Sequence, residues 1–469
     1  MTDVVVCADV GSTYTKVMAV DAVTGVLVAA AERPTTVDTD VLDGLDAAVA
    51  ATGHPGAPVR ACSSAGGGLR LAVVGYEPLV TAEAGHRVGL SAGAVVVHVA
   101  TGRLDPAAVT GLRDSQPDIV LLVGGTDGGD DEVLEHNASE LAGAGLRVPV
   151  VLAGNVAVRD DVAALLRRHE VSVLPTENVL PRIGELNPVP ARTAIREVFL
   201  RHVIGGKHLS RGTRFPDLVR GATPDLVLAG VELLADSGPS DVVVVDVGGA
   251  TTDVYSVLTP DAEQDGPRRE VAGVLWRSRT VEADLGMRWS APGVVAAAAV
   301  ERLLATGEVE SLYAAAEARA DNPGFTPGDP ADIAIDQRLA QLAITVALRR
   351  HARGERIGPA NTPRRGGKDL RQVSLVVGSG GVLRHSDPPR ATALLRTAVT
   401  DHAGGWPVPV APAIAVDQRY VLAAAGLLAG DYPDAAKALL RHEFGGSPLP
   451  ADDTPSATRR SGPSVSHYA

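Results

Sequence analysis

The chain has 469 residues, 45% of them hydrophobic and only 3% aromatic, with a formal net charge of −13 at pH 7. This length and composition predict a globular protein of two or three domains whose core is packed from small aliphatic side chains. The negative charge disfavours nucleic acid and anionic membranes as partners, because the long-range field of the protein repels phosphates.

The cysteines and the N-terminus bear on the cellular compartment. Cys7 and Cys62 lie in apolar segments without a metal-like spacing, so we interpret them as reduced core residues. The N-terminus carries Asp3 and no basic region, which is typical of a first strand rather than a signal peptide. No uncharged apolar run approaches the ~18 residues of a membrane span. We therefore expect a cytoplasmic protein without a membrane partner.

The first predicted strand, residues 4–8, ends at a turn rich in glycine and hydroxyl side chains in the sequence DVGSTYTKV. Glycine lets backbone N–H groups approach an anion closely, and hydroxyl and ammonium groups add further donors. Asp9, at the end of the strand, could bind Mg²⁺ through water. The candidate phosphate ligands of this first hairpin are Gly11, Ser12, Thr13 and Lys16.

The next segment begins an RNase-H-like half, and the spacing of its predicted strands and helices then becomes shorter. Predicted strands at 26–31 and Val59–Ser63 flank a predicted helix at 40–51. A glycine turn at 64–68 follows, which a plain loop explains as well as a phosphate contact does. Strands and helices then alternate at short spacing, which predicts an inserted parallel, doubly wound α/β unit over 94–175.

The inserted unit contains one prominent loop, GGTDGG at 124–129. It lies beyond the carboxyl end of a predicted strand, which is where such sheets bind ligands. The loop lacks a dinucleotide fingerprint, however. We interpret the unit as an insertion that contacts a partner or shapes a cleft.

A second hairpin is predicted in the sequence VVVVDVGGATTDVYS, residues 242–256. A constant offset lays Asp9 and Gly11 on Asp246 and Gly248. Taken alone, a strand ending in Asp-Val-Gly-Gly is typical of a tight hairpin, but its recurrence after a second apolar strand favours phosphate binding. The candidate ligands here are Gly248, Gly249, Thr251 and Thr252. Asp246 would share the metal with Asp9 or orient an attacking water, and the sequence leaves both roles open.

A third glycine-rich element follows the apolar strand predicted at 373–377. Such a turn can pass close to a flat base or ribose without steric conflict, so we expect it to receive adenosine. Its residues are Gly378, Ser379, Gly380 and Gly381. Two helices rich in small residues, at 225–235 and 420–428, complete the pattern.

The order of these elements resembles the actin, Hsp70 and sugar-kinase superfamily of ATPases. Within it, the stretches LLVGGTDGGD, DVGGATTDVYS and VEADLGMR resemble the MutL proteins associated with coenzyme-B12-dependent glutamate mutase, with Ala283 standing where the family has glycine. The resemblance implies an α/β fold of two RNase-H-like halves, 1–235 and 236–445, around an ATP cleft. The helix at 417–430 would pack back on the first half.

The resemblance also implies a function. Proteins of this type are thought to exchange damaged cobalamin for adenosylcobalamin in a cobalamin-dependent mutase, such as glutamate mutase, at the expense of ATP and with Mg²⁺. We expect no tightly bound cobalamin, because the stretch closest to an Asp-x-His-x-x-Gly motif carries Ala84 in place of Asp. His86 is therefore interpreted as an ordinary loop histidine. The sequence specifies neither the mutase nor the oligomeric state.

Two other functions fit the same fold. A small-molecule kinase would need a pocket carboxylate as base, and no stretch clearly supplies one. A non-catalytic scaffold of actin type would respond to nucleotide by assembling.

The tail at 446–469 is rich in Pro, Ser, Thr and Asp, and we expect it to be disordered because it has too few apolar residues to offset its ordering entropy.

Overall fold

The chain forms layered α/β sheets in the computed structural model, which describes residues 3–206, 209–238, 241–260, 272, 274–305, 307–355 and 364–445. The strands are β1 (Val4–Val10), β2 (Tyr14–Asp21), β3 (Leu27–Pro34), β4 (Val59–Ser63), β5 (Leu69–Gly75), β6 (Ala94–Thr101), β7 (Ile119–Leu122), β8 (Val150–Leu152), β9 (Val173–Pro175), β10 (Val219–Ala222), β11 (Val242–Val247), β12 (Thr252–Val257), β13 (Arg277–Glu282), β14 (Leu375–Ser379) and β15 (Ala413–Val416). The helices are α1 (Val41–Ala51), α2 (Thr81–Ser91), α3 (Pro106–Asp114), α4 (Glu132–Gly143), α5 (Arg159–Arg168), α6 (Pro188–Val198), α7 (Ile204–Gly206), α8 (Arg214–Leu218), α9 (Thr223–Ser237), α10 (Ala291–Val300), α11 (Glu308–Asp321), α12 (Pro330–Arg353), α13 (Gly381–Arg384), α14 (Pro388–Val399), α15 (Val421–Leu428) and α16 (Pro433–Phe444), with a π-helical turn at Phe199–Val203.

Two of the sheets have the same topology. The first has the order β10-β4-β1-β2-β3 and the second β13-β12-β11-β14-β15. In each, the first strand pairs antiparallel with the second and parallel with the fourth. This is the RNase-H-like arrangement expected for the two halves of an actin-type fold, and it confirms the predicted fold class. The repeat seen in the sequence is thus a repeat of structure.

Valine runs build the central strand of each of these two sheets. All seven residues of β1 are buried, and Val242–Val245 of β11 are completely buried. Strands covered on both faces take continuous β-branched runs rather than an alternating pattern. Each fully buried valine contributes about 1.5–3 kcal/mol of hydrophobic stabilisation. These strands therefore hold Asp9 and Asp246 on rigid elements.

A shared apolar core joins the two halves. It combines Cys7 and Met18 of the first sheet with Val244 and Tyr255 of the second, packed around α9 and α15. The two helices cross at glycines. A Cβ atom on Gly230 would lie 2.1 Å from the Leu422 carbonyl oxygen, and one on Gly426 would lie 1.9 Å from that of Leu226. Helix α15, which follows the last strand of the second sheet, thus packs directly on a helix that belongs to the first half.

The third sheet is the inserted parallel unit, with the order β6-β5-β7-β8-β9. The predicted start at residue 94 is wrong for this sheet, because β5 pairs with both β6 and β7. The run Leu69–Gly75 follows a glycine turn and is short, so its strand character depends on neighbours that come later in the chain. The unit is inserted between β4 and β10, two neighbouring strands of the first sheet.

Helix α2 corrects the interpretation of His86 as a loop residue. His86 lies within this helix, which packs between the inserted sheet and the second half. Gly85 permits the contact, because a Cβ atom there would lie 2.8 Å from Val73 Cγ1. The Nε2 atom of His86 lies 3.7 Å from a Glu355 carboxylate oxygen. Burial is the main cause that lowers the pKa of His86.

Two further expectations concern compartment and tail. Cys7 and Cys62 are both buried and free of disulfide bonds. Across the described residues, no helix combines the length and apolar character needed to cross a bilayer. The predicted disordered tail, 446–469, lies outside the described residues.

Candidate functional site

The two hairpin turns have matching geometry. Gly11 donates its N–H to the Tyr14 carbonyl at 3.1 Å, and Gly248 donates to the Thr251 carbonyl at 2.9 Å. A Cβ atom on Gly11 would lie 2.8 Å from the Tyr14 oxygen, so this tight turn requires glycine. The N–H groups of Gly11 and Gly248 therefore close the turns, and the contact of these two glycines with phosphate stays a prediction.

The tips of the turns provide the available donors instead. Ser12 and Thr13 are exposed at the first tip, and Gly249 and Ala250 at the second. The backbone N–H groups of these four residues donate no hydrogen bond to any other described residue. Adjacent free N–H groups on a turn form a concave anion site. Both tips thus fit a phosphate oxygen, with the Ser12 hydroxyl turned aside to the Ser64 carbonyl at 3.2 Å.

Asp9 is buried at the end of β1 and held from two sides. Thr223, the first residue of α9, donates its hydroxyl to Asp9 Oδ1 at 2.6 Å. Lys16 Nζ lies 3.8 Å from Asp9 Oδ2. Sequence reasoning missed Thr223; the only local signal was a Thr-Pro pair at the start of a predicted helix. Asp9 is thus a fixed carboxylate with a cation beside it.

Asp246 occupies the equivalent position in the second half, with a different electrostatic environment. Removal from water raises its pKa to about 6, and the nearby carboxylates of Asp253 and Asp9 act in the same direction. Lys16 and the Ser379 hydroxyl oppose this shift. Asp246 therefore changes its charge close to neutral pH, which suits a group that orients or activates a water molecule.

Lys16 links the two predicted carboxylates. Its Nζ lies 3.8 Å from the centre of the Tyr420 ring as well as 3.8 Å from Asp9. Burial opposes its charge, but Tyr420, Asp9 and Asp246 together raise its pKa above the ordinary value. Lys16 is therefore a permanent cation that interacts with both halves of the molecule, as a polyphosphate between the two hairpins would require.

The two predicted threonine ligands are engaged elsewhere. Thr252 is completely buried and donates its hydroxyl to the Leu285 carbonyl at 2.5 Å, so this hydroxyl already has a partner and its phosphate contact stays a prediction. Thr251 donates to Asp253 Oδ2 at 3.1 Å. The second hairpin therefore offers backbone donors rather than hydroxyl groups.

The VEADLGMR stretch supports the second turn from behind. Met287 and Arg288 donate their N–H groups to the carbonyls of Gly248 and Gly249 at 2.9 and 2.8 Å. A Cβ atom on Gly286 would lie 2.4 Å from the Ala250 backbone, so the two segments are in direct contact. The stretch fixes the shape of the turn and leaves its tip exposed.

The acidic residues of that stretch pair with one arginine. Arg350 contacts Glu282 at 2.8 Å and Asp284 at 2.6 Å. Burial raises the pKa of Glu282 to about 7 in spite of the arginine. Partial burial also opposes the charge of Asp284, yet Arg350 lowers the pKa of that carboxyl. Through Arg350 these carboxylates join β13 and the turn after it to α12.

The predicted adenosine turn is shorter than expected. Gly378 and Ser379 are the last residues of β14, and a Cβ atom on Gly378 would lie 2.6 Å from Leu383 and Leu395. Gly378 is thus a packing residue within the strand, and its nucleotide contact stays a prediction. Gly380, with φ of +107°, and Gly381 form the actual turn, while Ser379 lies opposite Asp246 in the strand register.

The Gly124–Gly129 loop of the inserted unit is held rigidly by two buried asparagines. Asn155 accepts the Gly128 N–H at 3.0 Å, and Asn178 donates to the Gly125 carbonyl at 3.0 Å and to Asp127 at 2.8 Å. The loop follows β7, at the edge where the chain changes direction in the sheet. Its conformation is fixed independently of the hairpins.

Comparisons with known proteins complete the description. A family model described as MutL protein matches residues 5–444. A curated Protein MutL from Clostridium tetanomorphum is 36% identical over 460 residues, which cover 94% of this chain and 98% of that protein. A ROK family glucokinase from Streptomyces griseus, solved with glucose and AMPPNP, is 13% identical with a TM-score of 0.31, covering 93% of this chain and 98% of that chain. A glycerol dehydratase reactivase is 13% identical with a TM-score of 0.32, covering 91% of this chain and 99% of that chain.

Proposed function

The chain belongs to the MutL protein family, and we propose that it is an ATP-dependent factor that reactivates a cobalamin-dependent mutase. The observation that carries the ATP part is the meeting of two equivalent hairpins at Lys16, which interacts with both Asp9 and Asp246. The reactivation part is supported by the family membership. Glutamate mutase is the first partner to test.

The residues present fit Mg²⁺ and a triphosphate between the hairpins. The free N–H groups at the two tips would bind phosphate oxygens, and Lys16 would neutralise charge between them. Asp9, fixed by Thr223, would hold Mg²⁺ through water. When bound, Mg²⁺ neutralises the charge that develops on the phosphates. The Gly380–Gly381 turn would face the nucleoside.

Asp246 is the residue we assign to the attacking water. Its pKa of about 6 leaves it ionised at neutral pH yet basic enough to accept a hydrogen bond, and then a proton, from water. The Ser379 hydroxyl faces the same carboxylate and would hold its orientation. In this proposal Asp9 binds the metal ion and Asp246 orients the attacking water.

The inserted unit gives hydrolysis a route to the partner. Arg279 of β13 donates to Asp253 Oδ1 at 2.8 Å and to the Ala94 carbonyl of β6 at 3.3 Å. Asp253 in turn lies opposite Asp246 in the second hairpin. The unit therefore belongs to the first half by its chain connection and contacts the second half through Arg279. A change in cleft angle between ATP and ADP states would move it and anything bound to it.

The proposal is tested by Mg²⁺-dependent ATP hydrolysis, with and without glutamate mutase inactivated by damaged cobalamin. We expect wild type to hydrolyse ATP and to restore mutase activity when adenosylcobalamin is supplied. Asp246→Ala should lose both activities, whereas Asp46→Asn, a surface ion-pair variant, should keep them. Wild type that neither binds nor hydrolyses ATP would refute the proposal. ATP hydrolysis without rescue of glutamate mutase would move the search to other cobalamin-dependent mutases, such as aminomutases.

A further inference from the structure

Tyr420 has an unusual backbone conformation for its residue type. Its φ and ψ of 58° and 36° lie in the left-handed region, immediately before α15. Non-glycine residues adopt this region at an energetic cost, so it persists only where the surroundings impose it. Here Asp417 stabilises the left-handed conformation of Tyr420, because its carboxylate accepts hydrogen bonds from the N–H groups of the next two residues, Val421 and Leu422, at 2.9 and 3.2 Å.

The side chain of Tyr420 lies between two cations. Lys16 Nζ is 3.8 Å from the ring centre, and Arg384 Cζ is 4.5 Å from it. Arg384 also pairs with Glu32 at 2.6 Å, and Glu32 lies opposite Lys16 in the register of β2 and β3. Lys16 and Glu32 belong to the first half, whereas Arg384 follows the Gly380 turn of the second. The ring thus lies at the junction of the halves.

The position of Lys16 depends on this ring. Besides the Tyr420 ring, the charged groups that interact with its ammonium are the carboxylates of Asp9, Asp246 and Glu32. A cavity of about 160 Å³ borders the ammonium, with Tyr420, Arg384 and Glu32 in its wall. A lysine is a flexible point charge that moves to the strongest available partner. Without the ring, the cavity would leave Lys16 room to turn away from the hairpin tips.

We propose that Tyr420 is the positioning residue of Lys16: its ring binds the ammonium and keeps it between the two hairpins, where a phosphate would be bound. This inference rests on the proposed ATP site and adds to it a group from α15. Because Tyr420 immediately precedes α15, the contact also connects the phosphate site to the helix that packs on the first half. Phosphate binding and the junction of the halves would therefore be coupled through one side chain.

A role as simple packing makes a different prediction. A residue that only fills space is replaced adequately by an apolar side chain of similar volume, and its effect is independent of Lys16. A residue that acts through Lys16 needs an aromatic face, and its effect disappears when Lys16 is absent. A double-mutant cycle separates these two roles.

The cycle combines Tyr420→Leu with Lys16→Met, and kcat and KM for Mg·ATP are measured for all four forms. We expect Tyr420→Leu to lower kcat about 10-fold with less than about a 3-fold change in KM. Tyr420→Phe, which keeps the ring, should stay within about 3-fold of wild type. In the Lys16→Met background, Tyr420→Leu should have no further effect. Residual activities are followed by single-turnover hydrolysis of labelled ATP.

Tyr432→Leu is the matched control, since it removes a tyrosine that packs against the same apolar core but lies just before α16. It should leave kcat unchanged. If Tyr420→Leu folds poorly, Tyr420→Met supplies a second variant without a ring. Equal damage from Tyr420→Phe and Tyr420→Leu, or additive effects in the cycle, would overturn the role of the ring while leaving the ATP site intact. Absence of hydrolysis in wild type would instead refute the proposed function itself.

Discussion

The two halves of the molecule share a sheet order and a first strand whose penultimate residue is aspartate, but they differ in the residue opposite that aspartate. Asp9 faces Lys16 across the first hairpin, whereas Asp246 faces Asp253 across the second. The first pair carries opposite charges. The second pair is a like-charge pair, and Arg279 neutralises Asp253 at 2.6 Å. One duplicated scaffold thus presents a carboxylate paired with a cation and a carboxylate with a raised pKa.

The two hairpin turns also differ in the segments that hold them. The second turn is held from behind by Met287, Arg288 and the Thr252–Leu285 hydrogen bond. The first turn is bordered by the Ser64–Gly68 loop, whose Ser64 and Ala65 N–H groups donate to the Val10 carbonyl. It keeps its hydroxyl groups exposed at the tip. The comparison indicates that the second half supplies a fixed frame and the first half supplies the cation, Lys16.

The strongest test of this division removes the cation. Lys16→Met should lower kcat/KM for ATP by about 100-fold to 1,000-fold, because the charge between the two phosphate sites is lost. The measurement is steady-state hydrolysis at saturating Mg²⁺. Lys437→Met, on the distant helix α16, should have no effect. A Lys16→Met enzyme with wild-type activity would show that the halves do not share this cation.

The next test breaks the contact through which the halves share a core. Gly426→Ala should reduce the free energy of unfolding by about 2–4 kcal/mol, because its Cβ would collide with the Leu226 carbonyl oxygen at 1.9 Å and neither helix can move freely. Gly143→Ala at the end of α4 is the matched control, since nothing lies within 4 Å of its Cβ. It should be neutral or slightly stabilising. Thermal unfolding of both variants checks the difference, and equal midpoints would contradict the tight crossing.

Much of the frame could be predicted from sequence because its signals are local. The valine runs before Asp9 and Asp246 and the repeated Asp-x-Gly spacing each lie within a few residues. They were sufficient for the twin hairpins and the fold class. The same locality explains why the small-residue helices were found, since a helix that crosses another closely needs glycine and alanine at the contact.

The features that sequence reasoning missed depend on partners distant in the chain. The hydroxyl of Thr252 donates to the Leu285 carbonyl, and a Cβ atom on Gly378 would collide with Leu395, so both residues have packing roles that their local sequence does not indicate. Strand β5 depends on pairing with β6 and β7, which follow it. Tyr420 reads as the start of a helix, and only folding brings Lys16 and Arg384 to its ring. A local pattern identifies a turn, but the assembled fold decides which of its groups remain free.

A smaller effect distinguishes the two aspartates by stability. A carboxyl whose pKa is raised on folding favours the folded state at low pH, and this contribution is lost as pH rises through the folded pKa. For Asp246 the window extends from its ordinary value of 3.8 to about 6. The full shift corresponds to about 3 kcal/mol. Because Asp246 is only half-buried, solvent screening reduces this, and we expect Asp246→Asn to be about 1–2 kcal/mol more stable than wild type at pH 8 and equal to it near pH 3.5. Thermal midpoints at both pH values measure the difference, and a constant offset would contradict the raised pKa.

The smallest effect is a shift in the acid limb of the activity profile. Hydrolysis requires ionised Asp246, so it should be present above about pH 6 and fall about 10-fold per pH unit below that value. The Ser379 hydroxyl lowers the pKa of Asp246, so Ser379→Ala should move the limb upward by about half a pH unit. Ser374→Ala is the control. Ser374 lies just before β14, the strand that ends at Ser379, and its hydroxyl donates to the Asp241 carbonyl, so its loss should not shift the acid limb of the activity profile. A limb that ignores Ser379 but follows Lys16 substitutions would assign the titration to the first half, and the proposed division between the two aspartates would be reversed.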